Sequence, residues 1–283
     1  MPGCGWRKSG RNGAMKHYYF YADGSGWQRV RRGLGAGRHI KLFFDYDGTL
    51  VPIRRTPQAA VPSDSLLELL KRTAALPCTD VALVTGRALR DIRAMLGIRG
   101  ITYIANHGFQ ISAPGGRWEH PEAVRLLPAL RRIRRRLDGL LGDWKGVIVE
   151  DKRFTLSVHY RLIEAGSVSS LSRMISGIVN EHRGHFRITK GKKVLEIRPN
   201  IPWDKGRAVL MALGSARLPD APLAVYFGDD RTDEDAFNVL RRSGVTVRVG
   251  RRAASAARYF VKDTREVHRF LRDVAAVAGG CLQ

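Results

Sequence analysis

Short apolar runs alternate along the first part of the chain with stretches whose apolar residues recur every three or four positions. Residues 40–45, 81–84 and 103–105 are such runs. Each stops abruptly, at Asp45, at Thr85-Gly86-Arg87 and at Asn106-His107-Gly108. A short apolar run bounded by turn signals predicts a buried parallel strand. Helical spacing lies between the runs. Ser63 is placed to cap a helix through Lys71, and a second helix is predicted over 89–96. Residues 109–118 then alternate as a hairpin turning at Gly115-Gly116.

The grammar changes beyond the hairpin. A long basic helix is predicted over 122–141, followed by strands near 147–149 and 155–160, a helix over 167–182, and strands over 186–189 and 194–197. Consecutive strands without a helix between each predict an antiparallel α+β unit. Strand–helix alternation resumes after Pro199 and Pro202. Asp204 caps a helix through Leu213, and a strand over 223–227 precedes a helix over 232–241. Short strands over 245–249 and 259–261 and a helix over 264–275 close the chain. The pattern therefore predicts an α/β sheet domain at 38–112 and 199–283, with a smaller α+β domain inserted at 113–198 and a cleft between them. Residues 1–37 are rich in glycine, arginine and aromatics without a sustained period. They read as a basic, poorly ordered extension, and Met15 is an alternative start.

Composition modifies this picture little. The chain has 283 residues, enough for one large core or two domains. No apolar run is long enough to span a bilayer, and the basic N-terminus lacks the compact apolar stretch of a secretory signal. Cys4, Cys78 and Cys281 have no metal-type spacing and read as free thiols in a reducing, cytoplasmic compartment. The net charge of +23 invites a nucleic-acid reading. However, no zinc-finger spacing or aromatic RNA-binding signature accompanies it, so no specific nucleic-acid partner is expected. The run Arg131-Arg132-Ile133-Arg134-Arg135-Arg136 falls among Leu126, Leu130, Ile133, Leu137 and Leu140, and reads as the solvated face of a helix.

The chemistry lies where the strands stop. In open α/β sheets ligands sit at the carboxyl ends of strands. Asp45-Tyr46-Asp47-Gly48-Thr49 and Gly228-Asp229-Asp230-Arg231-Thr232-Asp233 bring carboxylates to that edge. Clustered carboxylates repel, and a hard cation such as Mg²⁺ relieves them. Asp45 can act as a nucleophile and Asp47 as a proton-transfer partner; two turn aspartates are the plainer alternative. Thr85-Gly86-Arg87 can hold a phosphate through a hydroxyl, backbone N–H groups and a guanidinium, or can simply cap a helix. Lys205 opposes the dipole of the helix it opens, which a carboxylate–phosphate site would justify and a surface position would tolerate. Acids after Gly228 favour the first turn of a helix, but their number exceeds what capping requires.

The order Asp-x-Asp-Gly-Thr, Thr, Lys, Gly-Asp-Asp resembles the haloacid-dehalogenase superfamily of phosphatases. The resemblance implies a Rossmann-like core with a parallel sheet and an inserted α+β cap domain. It also implies Asp45 as nucleophile, Asp47 as general acid/base, and Thr85 and Lys205 as phosphate holders, with Gly86 and Arg87 beside Thr85. Mg²⁺ would be bound by Asp45, the Asp47 backbone carbonyl and Asp229. Asp230 and Asp233 would orient or extend that shell, and Gly48 and Thr49 would support the turn. The segments 45–53 and 228–237 more narrowly resemble trehalose-6-phosphate phosphatases. So do Val149-Glu150-Asp151-Lys152, His159-Tyr160-Arg161 and Gly191-Lys192-Lys193-Val194-Leu195-Glu196-Ile197-Arg198-Pro199. By spacing alone, substrate contact and cross-strand ion pairing are equally open for these last segments. The resemblance favours substrate contact by Glu150, Lys152, Arg161, Lys192 and Glu196, with His107 from the core. The implied reaction is Mg²⁺-dependent hydrolysis of trehalose 6-phosphate through an aspartyl-phosphate. The implied partner, besides the small-molecule substrate, is a trehalose-6-phosphate synthase. Another phosphorylated sugar, or a basic nucleic-acid or membrane module on a phosphatase fold, is the competing expectation.

Overall fold

The computed structural model describes residues 17–280 apart from 23, 55, 143, 183, 192, 215–220 and 253. Lys192, Cys4, Cys281 and residues 1–16 of the expected extension lie outside the described residues. In chain order, β1 (Tyr18–Tyr19) and α1 (Gly26–Gly35) precede β2 (Ile40–Asp45), α2 (Asp64–Ala74), β3 (Thr79–Val84), α3 (Leu89–Leu96) and β4 (Thr102–Ala105). The hairpin β5 (Gln110–Ala113) and β6 (Gly116–Glu119) follows. Next come α4 (Pro121–Leu141), β7 (Ile148–Asp151), β8 (Leu156–His159), α5 (Val168–Asn180), β9 (Phe186–Gly191) and β10 (Val194–Pro199). The chain returns through α6 (Lys205–Leu213), β11 (Leu223–Gly228), α7 (Asp233–Leu240), β12 (Val245–Val249), β13 (Tyr259–Val261) and α8 (Thr264–Gly280).

The large sheet has nine strands in the order β1-β13-β12-β11-β2-β3-β4-β5-β6, and only β5 and β6 run antiparallel to their neighbours. Successive side chains of a strand face opposite sides, so the run Leu42-Phe43-Phe44 supplies both cores. Phe44 stacks on Phe227 at 5.5 Å and packs with Phe270 of α8. Phe43 stacks on Tyr226 at 6.3 Å, on the face covered by Ala208 and Val209 of α6 and Phe237 of α7. A second sheet, β7-β8-β10-β9, is wholly antiparallel. Its apolar face (Leu156, Val158, Leu195, Ile197) packs on Leu130, Ile133 and Leu137 of α4 and on α5. Arg131, Arg132, Arg135 and Arg136 are exposed, as a solvated helix face requires, although Leu141 rather than Leu140 completes the buried stripe.

Two boundaries differ from the sequence reading. Residues 17–37 are not a loose extension. β1 pairs in parallel with β13, and α1 buries Val30 and Leu34 in the main core. Phe20 is fully buried, edge-on to Phe227, Tyr259 and Phe270. The glycines that argued against structure permit close approach: a Cβ on Gly26 would lie 2.6 Å from the Phe20 ring. The inserted unit also begins later than residue 113, because β5 and β6 extend the main sheet and the second unit opens with α4. Among the described residues, no helix is long and apolar enough to cross a membrane.

Candidate active site

Parallel register assembles the site. Asp45 pairs with Val84 of β3 on one side, and Phe44 with Phe227 of β11 on the other. Asp45 is thus flanked by Thr85, just past β3, and by Gly228-Asp229 at the end of β11. The turn after β2 is tight: Leu50 and Val51 both donate backbone N–H groups to Tyr46 O. Gly48 adopts φ +89°, and a Cβ there would stand 2.2 Å from Asp229 Oδ2. Only glycine lets the two acidic loops come so close. Thr49 is fully buried within the same turn.

Lys205 opens α6, whose cap is Asp204 accepting from Arg207 N at 2.8 Å. Its Nζ donates to Asp45 Oδ1 at 2.7 Å and to Asp233 Oδ1 at 2.8 Å. Those two carboxylates answer the dipole objection. Burial alone would lower the ammonium, but Asp233 and Asp45 outweigh it and raise the group, which stays charged. Burial drives Asp45 well above the usual carboxylate range; Lys205 opposes this, and Asp233 and Asp229 reinforce it. Asp233 is fully buried and acts as a brace, accepting from Lys205, from the Tyr226 hydroxyl at 2.8 Å and from Asp230 N at 2.9 Å.

Oxygen atoms of Asp45, Asp229 and Asp233 lie within 4.8 Å of one another. Three carboxylates face one ammonium there. Asp229 Oδ1 is buried without a hydrogen-bond partner, and burial, then Asp233 and Asp230, push its carboxyl up to about 7. A buried acceptor with no donor, among like charges, fits a small divalent cation with oxygen ligands. Asp230, expected to orient or extend the metal shell, is placed differently from Asp229 and Asp233. Its side chain is exposed and outside this cluster, and its contribution is the backbone N–H that fixes Asp233. The Asp47 carboxylate likewise stands outside this cluster.

Arg87 explains that placement. Its Nε donates to Asp47 Oδ2 at 2.7 Å and its Nη2 to Oδ1 at 2.6 Å, a two-pronged clamp. The guanidinium lies over the Tyr46 ring, 5.0 Å from its centre. The expected phosphate fork is thus spent on the expected acid/base. Thr85 is buried, and its hydroxyl accepts from Arg87 N at 3.1 Å. Gly86 leaves space for His107, whose ring a Cβ would approach to 2.5 Å.

The second sheet presents its polar face to this edge. Glu150, Ser157 and Glu196 stand in register across β7, β8 and β10. His107 Nε2 lies 3.1 Å from Glu196 Oε2, joining the two units. Lys152 Nζ is 3.4 Å from Glu196 and 3.9 Å from Glu150, and His159 is 2.8 Å from Glu150. Burial works against ionisation of Glu196, yet His107, Lys152 and Arg198 hold it well below the usual range. Asn106 adds a second link: it donates to the Lys152 carbonyl and accepts from Thr155 Oγ1 at 3.0 Å. Asn106 and His107 both have positive φ, rare strain for residues with side chains, held by these contacts. Arg161 is exposed in the turn after β8.

Three contributors escaped the sequence reading. Tyr226 holds Asp233 from within an apolar strand. Arg248 donates to Glu234 Oε1 at 2.9 Å and to the carbonyls of Asp229 and Asp230, fastening the acidic loop. Asn106 ties the units together. A lone arginine in Val245-Thr246-Val247-Arg248-Val249 was a legible signal; the other two carried none.

A family model described as trehalose-phosphatase matches residues 43–265. The chain is 37% identical over 252 residues to the probable trehalose-phosphate phosphatase D of Arabidopsis thaliana, covering 83% of this chain and 67% of that protein. It is 39% identical over 215 residues to the trehalose-phosphate phosphatase of Mycobacterium tuberculosis, covering 74% of this chain and 54% of that one. It therefore spans between about half and two thirds of these curated relatives. A solved trehalose-6-phosphate phosphatase related protein superposes with a TM-score of 0.75 at 27% identity, over 85% of this chain and 99% of that one. The C-terminal domain of the Candida albicans trehalose-6-phosphate phosphatase also gives 0.75, over 93% and 99%; at 21% identity it speaks to fold alone.

Proposed function

The chain belongs to the trehalose-phosphatase family, and we propose that it hydrolyses trehalose 6-phosphate to trehalose and inorganic phosphate. The observation that carries this reading is the buried pair of Lys205 and Asp45 beside the partnerless Asp229 oxygen. Phosphoryl transfer needs a positioned nucleophile and neutralisation of the transferred charge. Asp45, through the oxygen not held by Lys205, forms the new P–O bond in line as the bond to the sugar oxygen breaks. Asp47 gives its proton to that departing oxygen, then takes one from the water that cleaves the aspartyl-phosphate. Thr85 and Lys205 hold the phosphate oxygens, and Arg87 orients Asp47. Asp45, Asp229 and the Asp47 carbonyl would hold Mg²⁺, which supplies further charge neutralisation when bound.

The inserted unit acts in this reading as a cap. The alternating acceptors and donors Glu150, Lys152, His159 and Glu196 suit the hydroxyls of a disaccharide. A synthase that makes the phosphorylated disaccharide is the partner the reaction requires upstream. A reducing, cytoplasmic setting accords with the free thiol of Cys78.

The test is phosphate release by the purified chain from trehalose 6-phosphate, glucose 6-phosphate and sucrose 6-phosphate, with Mg²⁺ and with EDTA. Mg²⁺-dependent release from trehalose 6-phosphate alone is expected. Preference for another sugar would discard the substrate and keep the chemistry, whereas no release from any would overturn both.

A further inference from the structure

A cleft of about 770 Å³ opens between α3 and the β5–β6 hairpin of the large sheet and α4 and β7 of the inserted unit. None of Asp45, Asp47, Thr85, Lys205 and Asp229 lines it, and of the residues read above as meeting the disaccharide only Lys152 does. Its volume is in the range that small ligands occupy, about 300–1,000 Å³. The charge of its wall is unbalanced, with five arginines and Lys152 against Glu119 and Asp151. Arg90 and Arg153 have acidic partners, Asp91 at 3.1 Å and Glu119 at 2.8 Å. Arg93, Arg117 and Arg131 also line the cleft, and among the described residues no carboxylate lies within 4.0 Å of any of them. The three guanidiniums come from α3, β6 and α4, so they surround the space rather than share one helix face. Between them the wall is apolar, with Trp118, Leu127 and Leu130.

Guanidinium groups with no carboxylate within 4.0 Å, on three elements around one concave space, match the planar oxygen pairs of phosphate. The apolar wall asks for more than the anion itself. We propose that this cleft is a second ligand site, separate from the carboxylate centre, for a phosphorylated small organic molecule. Its phosphate meets Arg93, Arg117 and Arg131, and its sugar or base lies on Trp118 and Leu127. A ligand seated there touches both units at once, because Arg131 and Leu127 belong to one and Arg93, Arg117 and Trp118 to the other.

Calorimetric titration of the full chain in EDTA, with ADP, glucose 6-phosphate, pyrophosphate and inorganic phosphate, tests this. The expected result is saturable one-to-one binding of ADP or glucose 6-phosphate, tighter than either inorganic anion. Affinity falls at least about tenfold in Arg117→Glu and Arg131→Glu and persists in Asp45→Asn. The tighter of the two organic probes tells a nucleotide from a sugar phosphate. Arg117→Gln and Arg131→Gln, checked for parental unfolding temperature, replace any charge-reversed variant that fails to fold. Binding lost in Asp45→Asn but kept in the arginine variants would place the ligand at the carboxylate centre and overturn the proposal. Unsaturable uptake, equal for all four anions, would overturn it as general attraction to a chain of net charge +23.

Discussion

Asp45 and Asp229 illustrate how one cluster assigns different work to like groups. Asp45 has an ammonium at 2.7 Å and Asp229 has none, although both are carboxylates at the ends of neighbouring strands. Replacing Asp45 by Asn removes the nucleophile but keeps the shape and an acceptor for Lys205. Turnover of trehalose 6-phosphate should fall by at least about a thousandfold, roughly 4 kcal/mol of barrier, while circular dichroism and unfolding remain near parental. Asp229→Asn acts on stability instead. With EDTA at pH 8 the parent holds several buried like charges together, and the variant should be more stable by on the order of 1 kcal/mol. Added Mg²⁺ should raise the parent's unfolding temperature and leave the variant's nearly unchanged. Calorimetry with and without the ion checks both halves. A variant less stable than the parent in EDTA would contradict the charge argument.

At the scale of elements, the site depends on how closely loops and strands approach. The turn after β2 passes Asp229 so tightly that Gly48 cannot carry a side chain. Gly48→Ala adds a Cβ into the carboxylate and strains a positive φ, which costs about 1–2 kcal/mol before the clash. At least a tenfold loss of turnover is expected, with loss of the Mg²⁺-dependent gain in unfolding temperature. The tie between the units is pH-sensitive through Glu196. Its carboxyl is held well below its ordinary value of 4.5. A depressed folded value means that the stabilisation is complete above the unfolded value and is lost as pH falls through the folded one. Unfolding temperature should therefore drop from pH 5 downward in the parent. Glu196→Gln should be less stable at pH 7 and flatter below pH 5, and thermal denaturation across that window measures both.

For the whole molecule, the N-terminal segment is part of the sheet domain. Phe20 sits among Phe227, Tyr259 and Phe270 with no exposed surface. Phe20→Ala should cost about 3 kcal/mol through lost contact and the cavity left behind, measured by chemical denaturation of the full chain. A loose extension would make the same substitution nearly neutral. The basic charge is dispersed over both units, with the arginines of α4 largely on its solvent side. What concentrates it is the cleft between α3, β6 and α4, which arginines from distant stretches of chain line together.

The apolar runs ending at Asp45, Thr85 and Gly228 were legible because buried parallel strands announce themselves by composition and their loops by where the apolar residues stop. Ser63 and Asp204 were legible as caps because their side chains act within three residues. Signals confined to so few positions survive in the sequence. The expected phosphate role of Arg87 and the expected ligation by Asp230 turned on side-chain direction, which spacing does not encode. Arg87 reaches Asp47 across 40 residues, and Asp230 is exposed while Asp233 is buried within the cluster. Segment 17–37 looked structureless because its helix is rich in glycine and its strand has two residues; both are held by β13, α8 and Phe227, remote in sequence. From β2 onward, local pattern by itself determined the elements, their order and the acids at the sheet edge. Which acid faces Lys205, which faces Arg87 and which is left without a partner was decided only by tertiary packing, because those contacts join residues from 28 to 160 positions apart or depend on a buried acceptor finding no donor.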